Sequence, residues 1–143
     1  MARTCAKIGI PFVHLSSDYV FNGIGKKPWE PNDYPQPINL YGKSKLEGEV
    51  GIINSGANYA ILRTSWVFSN HGHNFVQTML QMSENTNSIK VVNDQIGAPT
   101  PAYELAKVCL LIAYELQKDK KKSGVYHFTG YPYVSRFEFA AFI

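Results

Sequence analysis

The run Phe12-Val13-His14-Leu15, led by Pro11 and closed by Ser16-Ser17-Asp18, constrains the fold more than any other stretch. It is short, largely apolar and does not alternate with polar residues. That is the pattern of a strand buried on both faces, as in a parallel sheet. Hydroxyls and an acid at its end place the strand's terminus at a site. Parallel neighbours need a crossover connection, usually a helix, and the rest of the chain supplies them. Residues 18–37 form a long loop rich in Gly and Pro (Gly23, Gly25, Pro28, Pro31, Pro35, Pro37), and its length marks a functional loop over a site. A helical segment then runs from Asn39, its expected N-cap, to about Ile53.

The alternation continues. Tyr59–Arg63 reads as a second strand, and Asn74 to about Ser83 as a helix whose apolar set is Phe75, Val76, Met79, Leu80 and Met82. Ile89-Lys90-Val91-Val92 reads as a short strand. Thr100 is placed to cap a helix reaching about Leu116, with Pro101 at its first position and Glu104 in its first turn. Gly124–Phe128 reads as a strand, and Ser135 as the cap of a final helix, Phe137–Ile143. Upstream, Ala2–Ile8 reads as the end of a helix closed by Gly9. Strands alternating with helices specify an α/β fold with a parallel sheet.

The helix after the loop carries Tyr41 and Lys45, four residues apart and therefore on one face. A phenol has a pKa of about 10, and a nearby ammonium favours its ionised form. Tyr41 is thereby suited to give a proton to a carbonyl oxygen, with Lys45 tuning it. Ser17, at the strand end, can hydrogen-bond the same oxygen and fix its direction. Spacing alone does not single out this pair, because Tyr103/Lys107 and Tyr114/Lys118 match it too. Both of those lie in one amphipathic helix and neither follows a strand ending in hydroxyls, so they read as surface aromatics beside solvated lysines. His71 and His73 are two apart but lack further ligand-type neighbours, so no metal site is expected there. His14 and His127 lie within strands and are expected to be satisfied core histidines.

Composition removes other classes. Hydrophobic residues make up 45% and charged residues 17%, a globular balance. The net charge is only +3, and the basic cluster Lys118, Lys120, Lys121, Lys122 has no interleaved aromatics, so nucleic acid is not an expected partner. No apolar run reaches membrane-spanning length and no signal-peptide pattern is present, so neither a membrane nor secretion is expected. Cys5 and Cys109 are far apart and read as free thiols of a cytoplasmic protein.

The stretches Ser16-Ser17-Asp18-Tyr19-Val20-Phe21-Asn22-Gly23, Pro37-Ile38-Asn39-Leu40-Tyr41-Gly42-Lys43-Ser44-Lys45-Leu46-Glu47-Gly48-Glu49, Leu62-Arg63-Thr64-Ser65-Trp66-Val67-Phe68, Asn74-Phe75 and Asp94-Gln95-Ile96-Gly97-Ala98-Pro99-Thr100 together resemble the extended short-chain dehydrogenase/reductase superfamily. Within it they are most like the dTDP-4-dehydrorhamnose reductases. The resemblance implies a partial Rossmann-like parallel sheet, residues 1–67, as the C-terminal half of a dinucleotide-binding domain. It implies that residues 68–143 belong mainly to a smaller, discontinuous substrate-binding region. The implied activity is NAD(P)H-dependent reduction of dTDP-4-dehydrorhamnose to dTDP-L-rhamnose by the full-length protein, with a nucleotide-sugar substrate and room for a homodimer.

By the same resemblance Ser17, Asp18, Tyr41 and Lys45 are the catalytic set. Tyr41, Lys45, Ser16 and Thr64 would contact the cofactor, NADPH or NADH, and Mg²⁺ is allowed in the full-length protein. Tyr19, Trp66, Asn74 and Gln95 would contact the substrate. Asp18 also reads as a turn residue, Asn74 as a plain helix cap, and Gln95 as part of a structural turn. The glycine-rich turn that seats a pyrophosphate on a helix N-terminus does not occur in residues 1–143. The chain therefore reads as a piece of a longer reductase, inactive and marginally stable by itself. Two alternatives stay open: a non-catalytic regulatory subunit similar to the β subunit of methionine adenosyltransferase, and a related nucleotide-sugar epimerase.

Overall fold

A computed structural model describes residues 1–143. In chain order the elements are α1 (Ala2–Ile8), β1 (Phe12–Ser17), α2 (Leu40–Ile53), β2 (Tyr59–Thr64), β3 (Val67–Phe68), α3 (Phe75–Asn85), β4 (Ile96–Gly97), β5 (Thr100–Pro101), α4 (Ala102–Lys118), β6 (Gly124–His127), β7 (Val134–Ser135) and α5 (Arg136–Phe142). Single 3₁₀ turns occupy Asp18–Val20 and Lys120–Lys122. The chain forms two compact units, Met1–Thr64 with Lys107–Phe128, and Ser65–Ala106 with Thr129–Ile143.

The first unit is built on a parallel three-stranded sheet in the order β1-β2-β6. Central β2 is buried along nearly its whole length, and Ala60, Ile61 and Leu62 form the core with Val20, Ile52 and Leu116. This is the continuous apolar strand that a two-sided parallel sheet requires. The helix ends follow their chemistry. Gly9 adopts the left-handed conformation (φ 73°) that closes α1. The Asn39 side chain accepts a 2.7 Å bond from the Gly42 amide at the start of α2. Asn58 donates to the Leu116 carbonyl at 2.6 Å, joining the end of α4 to the start of β2.

The second unit holds two short pairs, β3 with β5 in parallel and β4 with β7 antiparallel. Ser135 and Glu138 form a reciprocal capping box at the start of α5. Two expectations fail in this unit. Ile89–Val92 joins no sheet. Ile89 and Val91 instead line an apolar cavity of about 290 Å³ with Met79, Leu80 and Phe137, so their apolar character reports packing rather than strand pairing. Thr100 does not cap α4, which begins at Ala102. Its buried hydroxyl donates to the Ala98 carbonyl at 3.0 Å and accepts from the Gly130 amide at 3.1 Å, which commits it to two loops.

The two strand histidines are not fully satisfied. Nε2 of His14 and Nε2 of His127 are buried without a partner, while Nδ1–H of His127 donates to the Trp29 carbonyl at 3.0 Å. Burial is the main cause holding both imidazoles below the ordinary histidine value of about 6.5. As pH falls through that value, the unfolded chain takes up protons before the folded chain does. Stability is therefore expected to decline from about pH 6.5 downward and to level off below the folded-state values. Thermal melts at pH 7.5 and 5.5 check this, and His14→Phe should shrink the difference. A melting temperature that rises on acidification would contradict it.

Candidate active site

Strand β1 ends in two serines whose side chains point to opposite faces. Ser17 is extended (φ −141°, ψ 153°), and its Oγ accepts a 3.2 Å bond from the Tyr19 amide. The same hydroxyl donates to Asp18 Oδ1 at 3.0 Å. The strand end is thus folded into a tight turn that presents a hydroxyl, a carboxylate and the ring of Tyr19.

Helix α2 meets this turn through its first residues. A Cβ added to Gly42 would overlap the Tyr19 carbonyl, so only glycine allows the helix to approach so closely. Beside it, Tyr41 sets its ring edge-on to Tyr19, with centroids 5.7 Å apart and planes at 84°. Tyr41 is 55% exposed. One turn on, Lys45 Nζ donates to the Leu15 carbonyl at 2.7 Å, two residues before Ser17. An ammonium has three donors, and this bond uses one. Thr64 is the register partner of Ser17 on β2, and its buried hydroxyl has no partner.

The first unit therefore gathers Ser17, Asp18, Tyr19, Tyr41, Lys45 and Thr64 at the C-terminal ends of β1 and β2. In α/β sheets that is where ligands bind. Ser16 is buried, as Ser17 and Thr64 are, but its hydroxyl is engaged elsewhere. Its hydroxyl is buried and donates to Glu49 Oε1 at 2.5 Å. Glu49 also makes a two-pronged pair with Arg63, Nε to Oε1 at 3.0 Å and Nη2 to Oε2 at 2.7 Å. Neither Glu49 nor Arg63 was singled out from the sequence. The available signals were a carboxylate four residues after Lys45 and an arginine inside an otherwise apolar strand.

The remaining candidates lie in the second unit. Trp66 is held at φ 45°, a left-handed backbone that is uncommon for so bulky a residue. Its ring is clamped by the Arg136 guanidinium at 3.8 Å and stacks on Phe139 with centroids 6.3 Å apart. Asn74 caps α3, accepting from the Gln77 amide at 3.2 Å, and its amide nitrogen donates to the Ser69 and Gly72 carbonyls. Gln95 is exposed, and its backbone carbonyl accepts a 3.1 Å bond from Arg136.

Tyr103 and Tyr114 sit exposed on α4. Lys118 lies over the Tyr114 ring at 3.9 Å, a surface cation–π contact. No group of three or more His, Cys, Asp or Glu side chains is placed to hold a metal ion. No helix is long and apolar enough to cross a membrane.

Comparison with known proteins places the chain in a family. The chain matches the RmlD substrate binding domain over residues 1–143. It is 38% identical over 145 residues to dTDP-4-dehydrorhamnose reductase of Sinorhizobium fredii, covering 100% of this chain and 49% of that protein. A crystal structure of a dTDP-4-dehydrorhamnose reductase from Clostridium acetobutylicum superposes with a TM-score of 0.90 at 36% identity, over 98% of this chain and 48% of the other. The corresponding Bacillus anthracis structure, a complex with NADP, gives 0.83 at 37% identity, over 98% and 49% of the two chains. The chain thus spans about half the length of the relatives it matches. It belongs to the RmlD substrate binding domain family, within the extended short-chain dehydrogenase/reductase superfamily.

Proposed function

We propose that the full-length protein carrying this chain reduces dTDP-4-dehydrorhamnose to dTDP-L-rhamnose with NADPH or NADH, in the cytoplasm. The observation that carries the reading is the meeting of Tyr41 and Lys45 on α2 with the Ser17 turn at the end of β1. The residues fit the nicotinamide end of such a cofactor. Lys45 keeps donors free for ribose hydroxyls, and the Thr64 hydroxyl is buried with no partner in the chain. On this reading residues 1–67 belong to the dinucleotide-binding domain and residues 68–143 mainly to the substrate region. Asn74 and Gln95 in that region, with Trp66 just before it, are the substrate-side residues.

A nicotinamide cofactor held beside Lys45 and Thr64 would supply a hydride for the carbonyl carbon. Tyr41 gives its phenolic proton to the carbonyl oxygen, and the ammonium of Lys45 stabilises the phenolate that remains. Ser17 turns its hydroxyl from Asp18 to the substrate oxygen and holds its direction. Tyr19 packs beside Tyr41 and limits the space open to the sugar. No step runs through Mg²⁺. The regulatory-subunit alternative gains nothing from the geometry, since Ser17, Tyr41 and Lys45 are all present and adjacent to one turn.

Lys45→Met tests the reading. The variant keeps the aliphatic stem, removes the charge and loses the bond to Leu15. The charge that stabilises the phenolate left after proton transfer is then missing, so kcat of the full-length protein is expected to fall. Cofactor affinity should fall as well. Unchanged kcat with unchanged cofactor binding would make Lys45 a surface residue.

A further inference from the structure

Beneath the strand-end group lies a charged cluster that the reaction does not use. Glu49 and Arg63 are 1% and 5% exposed. Glu49 sits on α2, one turn beyond Lys45 and two beyond Tyr41. Arg63 is the register partner of Ser16, the residue that precedes Ser17. Each polar atom of the pair has a task. Oε1 of Glu49 takes bonds from Ser16 Oγ and Arg63 Nε, and Oε2 takes the bond from Nη2. Nη1 donates to the Pro31 carbonyl at 3.3 Å, in the long loop between β1 and α2. The guanidinium lies 5.0 Å from the Phe21 ring centroid, and Phe21 stacks on Trp29 at 4.6 Å and 3°. His127, the neighbour of Arg63 on β6, holds the Trp29 carbonyl.

A buried ion pair is a weak source of stability, because desolvation offsets its attraction and apolar residues of similar volume pack as well. Its value is directional. A carboxylate and a guanidinium pair in one geometry, whereas a greasy contact between helix and strand tolerates sliding and rotation. Helix α2 is attached to β1 at two consecutive residues, by Lys45 to the Leu15 carbonyl and by Glu49 to the Ser16 hydroxyl. Both attachments stand immediately before Ser17. Because α2 carries Tyr41, Lys45 and Glu49, a rotation or slide that breaks these attachments also moves Tyr41 and Lys45.

We infer that Glu49, Arg63 and Ser16 form a positioning set, which fixes the axial and rotational setting of α2 and thereby places Tyr41 and Lys45 against the Ser17 turn. The set also pins the long loop to the same arginine. None of the three touches the reacting atoms. The inference rests on the reductase reading above.

The test uses the full-length protein and two variants. Replacing the pair together, Glu49→Met with Arg63→Met, leaves no uncompensated charge, so the fold and the melting temperature should be largely kept. The kcat for sugar reduction is expected to fall about 10–100-fold, the scale on which small misplacements of reacting groups act. KM for the cofactor should move much less. Ser16→Ala should lower kcat several-fold, with Ser16→Thr restoring it. If the double variant does not fold, the Ser16 series decides alone. Wild-type kcat in the folded double variant, or equal kcat in Ser16→Ala and Ser16→Thr, would overturn the positioning role and leave the reductase reading intact. A wild-type protein with no reductase activity would overturn both.

Discussion

Tyr41→Phe is expected to lower the kcat of the full-length reductase by about 10²–10⁴-fold, the usual contribution of a general acid. The change is chemically narrow. Phenylalanine keeps the ring that meets Tyr19 edge-on, and the Tyr41 side chain is more than half exposed, so no buried packing is lost. Only the proton donor disappears. Lys45 still bonds Leu15 and Ser17 still bonds Asp18, so the rest of the site is preserved. Tyr103 and Tyr114 stand at the same spacing to a lysine, and Tyr103→Phe and Tyr114→Phe should change kcat little, because their rings lie exposed on α4. Steady-state kinetics on the three variants separate a site from a motif match. Equal activity of Tyr41→Phe and wild type would remove the proton-donor assignment.

The parts of the fold that could be read in advance are those set by neighbours in sequence. Asn39, Asn74 and Ser135 cap the helices that follow them, and Gly9 closes α1, because capping is decided within a few residues. Strand β2 was legible because a central parallel strand is buried on both faces and leaves an apolar run, whereas the outer strands β1 and β6 carry apolar runs yet are only partly buried, with Leu15 42% exposed. Ile89–Val92 has the same local look, yet Ile89 and Val91 line a cavity instead of pairing in a sheet. Nothing within four residues distinguishes those outcomes. Thr100 fails as a cap for a related reason, since its hydroxyl is claimed by Ala98 and by Gly130, thirty residues away.

The candidate site divides along the same line. Ser17, Tyr41 and Lys45 announce themselves through residue type and spacing, and the turn brings them together. Glu49 and Arg63 are fourteen residues apart, and their pairing exists only after α2 has packed on β2. Ser16 looks in sequence like a second copy of Ser17. Strand alternation sends the two hydroxyls to opposite faces, one into the strand-end site and the other onto Glu49. The left-handed backbone of Trp66 is likewise invisible in a string of letters, as are the ring contacts it makes with Arg136 and Phe139, about seventy residues away.

The most direct measurement follows the hydride itself. The full-length protein would be incubated with NADPH deuterated at C4 of the nicotinamide and with dTDP-4-dehydrorhamnose, and the sugar product analysed by mass spectrometry and proton NMR. Deuterium is expected at the former carbonyl carbon, C4 of the sugar, with one cofactor oxidised per sugar reduced and with transfer strongly suppressed in Tyr41→Phe. A protein that binds both compounds but moves no deuterium to the sugar, or that moves it equally well without the Tyr41 hydroxyl, would contradict the assignment of this strand-end site to carbonyl reduction.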